Sequence, residues 1–286
     1  MSLDTQQFGI SRFWLSVALA ELPSRPDIFG SSQLKAARKC FLAGGNQLKA
    51  IRSWLTNADI VKSAGRQVLL TKLGELVSTK DRRGRDPWTW WLFHIHLCAN
   101  REAYPYCTFF TQLDADGGGW MTIDEVIEFL TKTLKESAVA VERGSVESYF
   151  RGVELAFRPG ASLYGLGLIE WREDNAGGQR LRRRLAKPPL FVVAYAALAF
   201  QQAFFENQVT IEMRVLLQKG LARALGLRDA DVRETLSHLN QDAGLSRIMQ
   251  YKQVANLDSM QFVEPSELVL RRLAAQAYAQ GEIQWQ

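Results

Sequence analysis

The sequence predicts a mainly α protein with short β-hairpins, an N-terminal winged helix followed by helical, winged-helix-like modules. Three observations predict it. Residues 28–77 spell helix, helix, turn, helix and two-stranded wing in that order. Residues 168–185 repeat the hairpin with a glycine turn at its tip, and apolar residues at helical spacing fill most of the remainder. The same pattern divides the chain into an N-terminal winged-helix domain (1–80), a helical region with a second winged-helix-like module (81–187) and a C-terminal helical domain (188–286).

Residues 11–22 have the apolar spacing of a helix, which Pro23 and Pro26 close. Ser31 and Ser32 can cap a second helix over 34–41; LAGGN then turns the chain, and Asn46 can cap a third. Leu48, Ile51 and Leu55 share one face of that third helix, which leaves Lys49, Ala50 and Ser53 opposite and Arg52 at the flank. Residues 60–62 and 66–70, around a Ser63-Ala64-Gly65 turn, form the wing, and Thr71 caps the helix after it. Asp86 caps a further helix whose first position is Pro87, where a missing N–H costs nothing. Helical patterns continue over 104–113, 123–135 and 144–157. Strand patterns over 168–172 and 179–185 flank the turn at 174–178. Residues 190–206 are apolar nearly all round and predict a buried helix; 212–225 and 229–239 repeat the helix-turn-helix rhythm. Strand-like stretches over 251–263 and a helix over 267–279 close the chain.

With 286 residues, 47% hydrophobic and 23% charged, the chain has ample material for a packed core. Its longest apolar run, 190–200, is far shorter than the roughly 18 residues of a membrane span. The opening MSLDTQQFG has no basic region before an apolar stretch, so a cytoplasmic protein is expected. Cys40, Cys98 and Cys107 stand far apart and suggest buried thiols rather than disulfides or a zinc site. The net charge of +5 suits a polyanionic partner without requiring one.

The DNA-facing candidates are Lys49 and Arg52 on the third helix, Lys62 and Arg66 on the wing, and Arg180, Arg182, Arg183 and Arg184 on the returning strand of the second hairpin, the densest cationic cluster in the chain. A solvated strand edge, or a winged helix that binds protein, reads from the same residues. His94 and His96 are two apart on a helix, point to nearly opposite sides and read as core or interface residues rather than as ligands of one metal. Asp81 and Asp86 among Arg82, Arg83 and Arg85 read as a charged loop before a capped helix. LDADGGGWMTIDE offers two readings. Asp114, Asp116, Trp120, Thr122 and Glu125 fall at calcium-loop positions, whereas Thr122 and Glu125 alone make a capping box.

GGNQLKAIRSWL at 44–55, LTKLGEL at 70–76 and DPWTWWLFHIHL at 86–97, in this order, resemble the domain of unknown function 4007 family, most closely over 44–113. Where family members carry a Gly-His-Glu-Thr-Phe-like segment before the first helix, this chain has FGISRFWL. The resemblance implies a place in bacterial DNA phosphorothioation, a sulfur modification and phage-defence system. There it implies a DNA-nicking endonuclease component that works beside a cysteine desulfurase, an ATPase and a sulfurtransferase. Nicking would call on Mg2+ or Mn2+, yet the sequence offers no nuclease signature and leaves catalytic residues unassigned. A non-catalytic winged-helix adaptor for the modification complex and an EF-hand-like calcium binder remain as alternatives, and pairing with a second copy as a homodimer stays open.

Overall fold

Short-range signals set most element boundaries in the computed structural model, which describes residues 3–115, 119–175, 177–206, 208–254, 257–263 and 267–279. The Ser11 hydroxyl accepts from Trp14 N–H and starts α1 (Arg12–Glu21). A 3-10 turn at Ser31–Gln33 runs into α2 (Leu34–Phe41), so the expected serine caps form that turn instead. Gly44, not Asn46, stands at the cap of α3 (Gly45–Asn57), and the Gln47 side chain accepts from its N–H at 2.7 Å. The hairpin β1 (Val61–Ala64) and β2 (Gln67–Leu70) then leads to α4 (Lys72–Lys80), capped by Thr71. Asp86 accepts from Trp88 N–H at 2.8 Å to open α5 (Pro87–Ala99), which is buried on nearly every side.

Next come α6 (Tyr106–Gln112), β3 (Met121–Thr122), α7 (Ile123–Glu136), α8 (Arg143–Ala156), β4 (Ile169–Glu173) and β5 (Gln179–Arg183). The second hairpin is not a free wing. Strand β3 pairs with β5, Thr122 opposite Arg180, giving a three-stranded antiparallel sheet of order β3-β5-β4. After α9 (Leu190–Phe205) the pattern recurs in β6 (Thr210–Glu212), α10 (Met213–Gln218), α11 (Leu221–Leu225), α12 (Asp229–Ser237), β7 (Met249–Val254) and β8 (Leu257–Phe262), with order β6-β8-β7. In both sheets a strand ahead of the helices pairs with the last strand of the later hairpin. The C-terminal part, expected as helical, therefore holds a sheet, and the single helix expected over 212–225 breaks at Gly220. That residue has φ of +89° and lies so close to Thr111 that a side chain would not fit.

One hydrophobic core runs through all of these elements and is centred on α5 and α9. Its largest fully buried side chains include Trp54, Trp88, Trp90, Tyr106 and Tyr195. The closing helix α13 (Glu267–Ala279) packs on α4, α5 and α9, where Trp88 Nε1 donates to the Ala274 carbonyl at 3.2 Å and the Thr89 and Tyr278 hydroxyls meet at 2.6 Å. At the other end, residues 3–10 lie between α3 and α8. The Thr5 hydroxyl donates to the Tyr149 carbonyl at 2.8 Å, and Trp54 Nε1 donates to the Phe8 carbonyl at 2.8 Å. Gly152 leaves the room that Thr5 occupies. No helix among the described residues is long and apolar enough to cross a membrane.

Candidate nucleic-acid interface

Charge is distributed unevenly along the chain. Residues 1–87 carry fourteen Lys and Arg against seven Asp and Glu, whereas residues 88–286 carry twenty-one against twenty-three, so the whole positive excess belongs to the first part. The structure places those cations outward. On α3, Leu48, Ile51, Trp54 and Leu55 face the core and Lys49 is exposed. Ala50, expected on the outer face, is buried, which narrows that face to Asn46, Lys49 and the half-exposed Arg52, Ser53 and Thr56. Arg52 Nη2 donates to Ser63 Oγ at 2.9 Å and ties α3 to the hairpin. Every residue from Lys62 to Gln67 is exposed, Arg66 at the tip beside Gly65.

Arg52 is thereby linked to the hairpin that carries Lys62 and Arg66, while alternation along β1 puts Lys62 on the face opposite Ser63. Sequence reasoning missed Lys35, Arg38 and Lys39 on α2, all exposed. Arg38 reaches the start of α3, since a Cβ built on Gly45 would lie 3.5 Å from its Nη2. A charge census by segment would have found them. Among the described residues no ion pair involves Lys35, Arg38, Lys39, Lys49, Arg52, Lys62 or Arg66.

The second cluster is of another kind. Arg183 is 3% exposed, contrary to the expected surface role. Its Nη1 donates to the carbonyls of Phe109 and Phe110 at 3.2 Å and its Nη2 to that of Arg223 at 2.6 Å, so one guanidinium serves the ends of α6 and α11. Burial lowers its pKa to about 10. Arg180 pairs with Asp174 at 3.2 Å and Arg182 with Glu170 at 2.7 Å. Arg182 and Arg172 also lie over the Trp120 ring, at 4.8 and 4.4 Å. Arg184 is exposed. Alternation along β5 explains the split: Leu181 and Arg183 face inward, Arg180 and Arg182 outward.

Helix α8 is covered by residues 3–10, and α12 turns Asp229 and Glu234 to solvent.

The remaining candidates are committed to structure. His94 Nε2 lies 2.7 Å from the Ala224 carbonyl, which only accepts, so Nε2 carries the proton and Nδ1 accepts from the Tyr106 hydroxyl at 2.6 Å. Burial lowers the pKa of His94 to about 3 and that of His96, bonded to the Tyr195 hydroxyl at 2.7 Å, to about 4. Asp81 accepts from the N–H groups of Arg85 and Asp86 at 2.9 Å and from the Thr89 hydroxyl. Burial raises the pKa of Asp86 above its ordinary value, offset in part by the Trp88 N–H. Cys98 and Cys107 are buried and Cys40 half-buried, all three as free thiols.

In the candidate calcium loop, Asp116 lies outside the described residues. Asp114 binds Arg223 at 2.6 Å, and Trp120 carries the stacked guanidiniums just described. Glu125 accepts from Thr122 N–H at 2.6 Å, the reciprocal half of a capping box that also lowers its pKa. Among the described residues no three His, Cys, Asp or Glu side chains gather as a metal site.

Residues 5–158 match the family model described as protein of unknown function (DUF4007). Two solved structures share the fold. The magnesium ion-bound SspB crystal structure superposes with a TM-score of 0.75 at 18% identity, and the SspB crystal structure with 0.75 at 16%; each likeness covers 96% of this chain and 87% of that one. No curated protein matches the sequence. With its model matched over more than half of the chain, DUF4007 is the family to which this protein belongs.

Proposed function

We propose that this protein is a DNA-binding component of a DNA phosphorothioation system, and that residues 28–77 act as a winged helix whose third helix, α3, and hairpin β1–β2 lie against duplex DNA. The supporting observation is the set of exposed and half-exposed cations, free of ion pairs among the described residues, carried by α2, α3 and the hairpin. Lys49, Arg52, Lys62 and Arg66 would contact phosphates, with Lys35, Arg38 and Lys39 beside them. Arg184 stays as an outlying contact, and Arg180 and Arg182 would have to leave Asp174 and Glu170 to take part. Membership of the system is supported by the family resemblance and by the fold shared with SspB.

A short labelled duplex titrated at increasing salt tests the reading. Affinity is expected to fall steeply with salt, and a variant lacking Lys49, Lys62 and Arg66 should lose most of it. Unchanged binding in that variant would sink the proposal.

Whether the chain nicks DNA or serves as an adaptor for the desulfurase, ATPase or sulfurtransferase is a separate reading. The described carboxylates and histidines do not fit a ready-made metal site, and no cleavage step is derived through one. A magnesium ion in one SspB structure makes Mg2+ the first metal to try and Mn2+ the second. Supercoiled plasmid relaxed by the purified chain, with relaxation stopped by chelator, would support a nickase. Intact plasmid with retained binding would support the adaptor.

A further inference from the structure

Lys49 and Arg52 border a cavity of about 400 Å3 that opens between α3 and the paired 3-10 turn and α2. That volume lies within the roughly 300–1,000 Å3 of small-ligand pockets. Its lining is mainly apolar. Ile28 and Ala37 are fully buried beneath it, Leu48 is 5% exposed and Leu34 is 39% exposed. Phe29 adds an aromatic side, its ring seated 5.2 Å from that of Phe41. Ser31 and Asn46, both exposed, bring hydrogen-bonding groups to the opening.

Phosphate binding alone has no use for an apolar floor, and a fully stacked duplex offers it only thymine methyl groups, far too small to fill a cavity of about 400 Å3. A nucleotide turned out of the stack has an apolar face, a hydrogen-bonding edge and an anionic backbone on either side. We propose that this cavity receives one unstacked nucleobase of the bound DNA. Phe29 and Leu34 lie against the base, Asn46 and Ser31 meet its edge, and Lys49 and Arg52 hold the flanking phosphates. The proposal rests on the DNA-binding reading above. An acidic amphipathic peptide would also match an apolar pocket with a cationic border. The nucleotide is favoured because the cations continue past the border, through the Arg52–Ser63 bond and along the exposed hairpin, as a track for a phosphodiester backbone.

The test compares two labelled duplexes, one fully paired and one with a single central adenine opposite an abasic site, where unpairing costs nothing. The wild-type chain should bind the second at least about tenfold more tightly. Leu34→Trp fills the opening from an exposed position. It should abolish that preference while leaving affinity for the paired duplex unchanged, and Asn46→Ala, which cannot overpack, should reduce the preference. Circular dichroism and the melting temperature confirm that both variants fold. Equal binding of the two duplexes by the wild type, or a preference that survives Leu34→Trp, would overturn the proposal and leave the DNA-binding reading standing. Binding to neither duplex would remove both. Thermal stabilisation by an acidic helical peptide, lost in Leu34→Trp and without any base preference, would assign the cavity to a protein partner instead.

Discussion

Two neighbouring arginines on β5 have opposite fates. Arg182 pairs with Glu170 at the surface, while Arg183 holds four carbonyls inside. Replacing Arg183 by Leu strands those carbonyls without donors, so a loss of about 3–5 kcal/mol is expected in urea denaturation. Arg184→Ala, at an exposed position, should change stability by less than about 0.5 kcal/mol. The sequence shows four arginines in a row of five and cannot tell them apart. The alternation is legible, but which face meets the core depends on β3, fifty-odd residues earlier, and on α6 and α11, which the strand pattern does not name. The buried His94 and half-buried His96 give the second residue-scale expectation. Their pKa values of about 3 and about 4 lie below the unfolded value of about 6.5, so the unfolded chain binds the protons that the folded one refuses. Their neutral forms therefore stabilise the fold fully above pH 6.5, and stability is lost as pH falls toward 4, by about 1.4 kcal/mol per pH unit for each histidine. His96→Gln should make the acid limb of a urea-midpoint profile shallower, and an unchanged slope would show that the half-buried His96, held by the Tyr195 hydroxyl, takes up its proton without cost to the fold.

Elements were easiest to read where the signal is local. Asp86 with Pro87, Thr71, and Thr122 with Glu125 start helices where their spacing predicts, because a cap acts within four residues. In the structure Glu125 serves the capping box. Thr122→Ala should cost about 1 kcal/mol of stability, and added calcium should not raise the melting temperature of the wild-type chain; a calcium-dependent rise that disappears in Glu125→Gln would restore the ion-loop reading. Elements defined by distant partners were harder. Two-residue β3 and three-residue β6 have too little pattern to be seen, and Ala50 turned inward because α3 is enclosed more widely than a single apolar stripe implies. At the same scale, if α3 and the first hairpin bind DNA as proposed, neutralising Lys49 or Lys62 should lower the slope of log affinity against log salt by about 0.9. Removing Arg180 and Arg182 should leave that slope nearly unchanged, because their charge is already matched by Asp174 and Glu170.

For the whole molecule, the basic excess was legible as net charge and the helical class as periodicity, but where that excess sits and how the termini pack were not. Helix α13 covers Trp88 and Thr89 at the start of α5, far away in sequence. Removing residues 264–286 should expose Trp88, red-shift tryptophan emission and lower the denaturation midpoint of the entire chain rather than of its last third alone. A midpoint change confined to a separate C-terminal transition would show the core to be divisible. The opening residues carry a different consequence. Thr5 and Phe8 find their partners on α3 and α8, and Gly152 keeps the slot that Thr5 fills. Residues 3–10 thus have no complete resting place until α8, more than a hundred residues later, is in position. A load placed on this segment would tug on the seam that joins the basic head to the rest of the protein.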